Sequence, residues 1–119
     1  MSIKLFDSEL KVMNVLWQHG DMTAKSISDI LAAEIGWNMN TTYTVIKKCI
    51  AKGAISRSEP NFMCKAEVSR QEIQQSELSD FVDRIFDGAA DKLFAALLNS
   101  KKISGEELQN LKNMVEKLK

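Results

Sequence analysis

The chain is short of the residues from which catalytic centres are usually assembled. It has one histidine, two cysteines, one tyrosine and five glycines in 119 residues. No nucleophile with a matching base, no metal-ligand cluster and no phosphate-cradling glycine loop can be composed from them. An enzyme is therefore not expected, nor a cofactor, nor a bound metal. His19 closes a helical stretch, where a cap or surface role accounts for it. Cys49 falls among the apolar positions of a helix and reads as a small buried thiol, Cys64 falls in a strand, and without metal-like CxxC spacing both read as reduced. Long apolar runs are missing too. The opening Met-Ser-Ile-Lys begins no signal-peptide segment, and no stretch approaches the roughly 20 apolar residues of a membrane span. The expectation is a cytoplasmic protein without membrane insertion. Net charge is also absent, since Lys+Arg and Asp+Glu number 16 each, and the overall balance gives no hint of a nucleic-acid partner.

The distribution of that charge says more. From Asn40 to Lys65 the charged residues are Lys47, Lys48, Lys52, Arg57 and Lys65 against Glu59 alone. From Glu72 to Asp91 they are Glu72, Glu77, Asp80, Asp83, Asp87 and Asp91 against Arg84 alone. One region seeks phosphate and another is kept from it.

Hydrophobic spacing organises the chain. Leu10, Met13, Leu16 and Trp17 mark a first helix over about 7–18, capped by Ser8 or Asp7 and stopped by His19-Gly20-Asp21. Thr23 caps a second, with Ala24, Ile27, Ile30 and Leu31 on its buried side. A third begins near Asn40 and ends at Lys52-Gly53. The period then shortens, and Ala54–Arg57 and Phe62–Val68 read as two strands around a turn, Ser58-Glu59-Pro60-Asn61. Ser69-x-x-Glu72 and Ser104-x-x-Glu107 are capping boxes that open a fourth and a sixth helix, with a fifth from about Ala89 to Leu98. The fold class is mainly α with a small β-hairpin wing. A winged helix-turn-helix over 1–69 is followed by a helical dimerisation segment over 70–119. In that segment Leu78, Phe81, Val82, Ile85, Leu93, Leu97, Leu108, Leu111, Val115 and Leu118 offer more apolar surface than three short helices can bury among themselves.

The third helix carries the chemistry. With Thr42, Val45, Ile46, Cys49 and Ile50 on its core face, Asn40, Thr41, Tyr43, Thr44, Lys47 and Lys48 are left pointing outward. Short hydrogen-bonding side chains followed by cations suit a helix whose first turn meets base edges in a major groove while its lysines reach phosphates. Arg57, Asn61 and Lys65 on the hairpin would extend the phosphate contact. The expected partners are a double-stranded DNA operator and a second copy of the chain. A reading from another class is a winged-helix adaptor that binds proteins through its helical tail. Loss of affinity with rising salt, and preference for a palindrome, discriminate between the two.

The residues also resemble the penicillinase repressors of the BlaI/MecI type and their copper-responsive CopY relatives. The likeness runs through Leu10-x-x-Met13-x-x-Leu16-Trp17, Thr23-Ala24, Trp37-x-x-Asn40-Thr41-x-x-Thr44 and Lys52-Gly53. It continues in Gln74-Gln75-Ser76-Glu77-Leu78-Ser79-Asp80-Phe81 and Phe86-Asp87-Gly88. The resemblance implies a homodimeric repressor on inverted-repeat operators of resistance or stress-response genes, with Thr41, Thr44 and Lys48 in the recognition positions. Asn40 and Tyr43 depart from the family's usual residues. It further implies release by a regulatory protease acting after Asn99, although Ser100 follows where the best-known members have Phe. The chain lacks the paired Cys-x-Cys motifs of the copper-responsive members, so copper sensing of that kind is not expected.

Overall fold

The computed structural model describes residues 3–118. Helix α1 spans Asp7–His19, β1 Met22–Thr23, α2 Ala24–Ile35, α3 Met39–Ala51, β2 Ile55–Ser58 and β3 Met63–Ala66; α4 (Arg70–Ile85), α5 (Ala90–Asn99) and α6 (Gly105–Lys117) complete the chain. Residues up to Glu77 form one compact unit and those from Leu78 onward another.

In the first unit the three helices surround Val12, Met13, Leu16, Ala24, Ile27, Val45, Ile46 and Cys49, all buried, and the sheet adds Ile55 and Cys64. The sheet is antiparallel with strand order β1-β3-β2. The two-residue β1 was not expected from the sequence. It pairs Met22 with Cys64 and Thr23 with Met63, and so ties the turn after α1 to the hairpin. Trp17 Nε1 donates to Val68 O at 2.9 Å, which fixes the chain after β3 against α1. Ile73, one turn into α4, is buried in the same core.

Two helix caps differ from expectation. The first residue of α1 follows Phe6, not Ser8 or Asp7, because the Glu9 carboxylate reaches back to accept the Phe6 N–H at 2.7 Å. Asn38, not Asn40, caps α3 by accepting the Thr41 N–H at 2.8 Å, so Asn40 lies inside the first turn. The caps at Thr23, Ser69 and Ser104 form as expected.

In the second unit packing is sparse. Among the described residues every buried side chain lies at or before Ile73. Val82, Leu93, Leu97 and Leu111 are half-buried, whereas Leu78, Phe81, Ile85, Phe94, Leu98, Leu108, Val115 and Leu118 are exposed.

Candidate nucleic-acid interface

Helix α3 divides cleanly by face. Thr42, Val45, Ile46 and Cys49 are buried, and Asn40, Thr41, Thr44, Lys47 and Lys48 are exposed. Thr41, Thr44 and Lys48 stand three and four residues apart, and Asn40, Thr44 and Lys47 likewise, so the five side chains form one continuous strip. Tyr43 lies apart from this strip. It is half-buried, and its ring meets the Phe62 ring edge-on, with centroids 5.6 Å apart.

Phe62 is the hub between helix and hairpin. It holds a left-handed backbone, φ +51°, which a bulky residue adopts only when its surroundings dictate it. Those surroundings are visible: the Ala24 N–H donates to Phe62 O at 2.9 Å, Tyr43 packs on one side of the ring, and the Arg57 guanidinium carbon sits 3.6 Å from its centroid. The register pairs Arg57 with Cys64 and Ser56 with Lys65. Directly opposed side chains share a face of a sheet, so Arg57 lies on the side of buried Cys64, and Lys65 on the other. Arg57, Asn61 and Lys65 are all exposed, with the two cations on opposite faces of the hairpin.

The local cations are not equivalent. Lys52 turns inward: its Nζ donates to Glu9 Oε1 at 2.6 Å and to Lys4 O at 2.8 Å, and stands 4.1 Å from the Phe6 ring centroid. Burial alone would raise the Glu9 pKa. The Lys52 hydrogen bond, the Phe6 N–H and the positive charges of Lys52 and Lys48 outweigh it and hold the carboxyl below its ordinary value. Arg57 Nε is bonded to Glu59 Oε1 at 2.6 Å. Among the described residues Lys47, Lys48 and Lys65 enter no salt bridge. Neither thiol is poised to react, because burial pushes Cys49 up to about 12 and Cys64 up to about 11.

Sequence reasoning did not single out Glu9, Glu59 or Phe62. Glu59 precedes the turn proline and is the lone acid of the basic stretch 40–65, and Phe62 follows the turn asparagine; these were the available signs.

Asn99 and Ser100 are exposed at the end of α5. The amide joining them is still engaged, since the Ser100 N–H donates to Ala96 O at 2.9 Å. Between α5 and α6, Phe94, Leu98, Leu108, Leu111 and Val115 line an apolar groove of about 430 Å³.

Three helices, the third exposed along one strip, with a hairpin wing paired to a short strand before α2, make the first unit a winged helix-turn-helix of the DNA-binding class. The chain belongs to the penicillinase repressor family, which it matches over residues 5–117. Members of that family are DNA-binding transcriptional repressors and not enzymes. Among its relatives, the penicillinase repressor of Bacillus licheniformis is 24% identical over 98% of this chain and 92% of its own. The methicillin resistance regulatory protein MecI of Staphylococcus aureus is 23% identical over 96% and 94%. Two solved structures share the fold of the first unit. The DNA-binding domain of the repressor BlaI has a TM-score of 0.54 at 24% identity, over 59% of this chain and 88% of that one. Bacillus licheniformis BlaI, in its monomeric form with the blaP half-operator, has a TM-score of 0.52 at 24% identity, over 60% and 90%.

Proposed function

We propose that the protein represses transcription as a homodimer on inverted-repeat operators of resistance or stress-response genes, and that cleavage after Asn99 releases it. The observation that carries the DNA contact is the exposed strip of Asn40, Thr41, Thr44, Lys47 and Lys48 on α3, with Arg57 linked to that helix through Phe62 and Tyr43. The strip puts hydrogen-bonding groups at the N-terminal turn, where base edges are met, and cations further along, where phosphates are. A relative that binds a half-operator supports the same assignment. The absence of any buried side chain beyond Ile73 among the described residues supports the dimer. Covering a Leu or Phe contributes roughly 1.5–3 kcal/mol, of which about half is still to be gained where the side chain is half-exposed.

Cleavage at Asn99-Ser100 would detach α6 and its share of the apolar groove. Two winged helices held together can exceed the avidity of separate ones by about a hundredfold to ten-thousandfold, and the cut discards that gain.

Binding titrations of the full chain against a palindrome, a single half-site and random duplex, at several salt concentrations, test the proposal. Affinity should fall with salt, and the palindrome should be preferred. Thr44→Ala should reduce discrimination among operator variants. Lys48→Gln should weaken binding to all duplexes and flatten the salt slope by about one unit. Sedimentation should show a dimer at micromolar concentration. A chain ending at Asn99 should hold the half-site unchanged and the palindrome far more weakly. Salt-independent binding, or a truncated chain with undiminished palindrome affinity, overturns the corresponding part.

A further inference from the structure

We propose that Glu59 stands, in the free protein, where a backbone phosphate stands in the complex, so that the wing's contact through Arg57 is gated by an intramolecular carboxylate. This rests on the DNA-binding reading above. Arg57 is held on two sides: its guanidinium lies flat enough on Phe62 to bring its carbon 3.6 Å from the ring centroid, and its Nε donates to Glu59 Oε1 at 2.6 Å. Phe62 in turn touches Tyr43 of α3, so the guanidinium is referenced to the helix that carries the exposed strip. Among the described residues no hydrogen bond occupies its terminal nitrogens. A phosphate can therefore approach a preset fork of donors and take over the Nε as well.

The exchange is cheap because the pair is exposed, 42% for Arg57 and 57% for Glu59, and ion pairs so placed are weak. Glu59 also accepts from the Phe62 N–H at 3.4 Å, which keeps it on the turn once Arg57 has left it. The gate cancels the charge of Arg57 until a phosphate is close enough to displace the carboxylate. Far from DNA the pair then contributes no net attraction, and Lys65, on the other face of the hairpin, acts independently of it.

The test is a double-mutant cycle on random duplex. Glu59→Gln, which keeps an acceptor for Phe62, should tighten binding about threefold to tenfold at low salt and steepen the salt slope by about one unit. In the Arg57→Gln background the same change should do no more than Glu67→Gln, which removes a carboxylate bonded to Ser56 on the opposite face of the hairpin. If Glu59→Gln gives equal gains with and without Arg57, or none at all, the gate is overturned while the DNA reading stands. If the unaltered chain binds no duplex, both fall together.

Discussion

Replacing Lys52 by Met strips the Glu9 carboxylate of its cation. Glu9 is 1% exposed, and its Oε1 keeps the Phe6 N–H as partner, but no second charge reaches it among the described salt bridges. Removing one partner from a fully buried pair costs about 3–5 kcal/mol. Lys52 is 29% exposed, so water can reach the vacated side, and the expected loss is about 2–3 kcal/mol. In a domain of this size that lowers the melting temperature by roughly 10–20 °C. Urea titration followed by tryptophan fluorescence isolates the effect, since Trp17 and Trp37 both lie in the first unit. The midpoint should fall with the slope unchanged, and adding Glu9→Leu should restore more than half of the loss. The pH dependence has a definite sign. A carboxyl held below its ordinary 4.5 contributes stability that is present above that pH and is lost as pH falls through the depressed value. Without Lys52 the burial of Glu9 pushes its carboxyl upward, so the gap between the unaltered chain and Lys52→Met should narrow as pH falls, first as the variant takes up the Glu9 proton and then as the unaltered chain does. A loss under about 0.5 kcal/mol, where an ordinary surface substitution lies, or a gap indifferent to pH, would refute the reasoning.

Thr42 Oγ1 is buried without a hydrogen-bond partner, so Thr42→Val removes an unsatisfied hydroxyl at constant shape and should stabilise the first unit by about 1 kcal/mol; a loss of that size in the same titration would show that the hydroxyl is satisfied. Cys49 and Cys64, raised to about 12 and 11 by burial, should both resist a thiol-alkylating reagent at pH 8 on the native protein and react in urea. A thiol that reacts within the mixing time on folded protein would contradict that placement.

Much of the fold was legible because its signals are local. Period placed the six helices, and Thr23, Ser69 and Ser104 cap three of them as their local pattern announced. The strand β1 was not legible, since two residues cannot display an alternation. Asn40 reads as the cap of α3 where Asn38 serves, because either residue makes a good cap and only the backbone decides which carbonyl accepts first. At the candidate interface the outward strip of α3 followed from its buried face. The linkage of Tyr43, Phe62, Arg57 and Glu59 did not, because ring contacts across a turn leave no periodic trace. Glu9 and Lys52, 43 residues apart, belong to the same class of long-range contact. A carboxylate on a helix reads as solvated until its partner is seen.

The two ends of α3 are fastened by unlike means. At the start, Asn38 holds the first turn by one exposed, neutral hydrogen bond; at the finish, Lys52 binds a buried carboxylate, a backbone carbonyl and a ring face. Between those ends Thr42 and Val45 are buried in the core and Tyr43 packs on Phe62, so the whole helix is seated and only its outward strip is open. Under the proposed assignment, Asn40, Thr41, Lys47 and Lys48 ride on a helix already ordered before a duplex is met, so little ordering entropy is spent on binding.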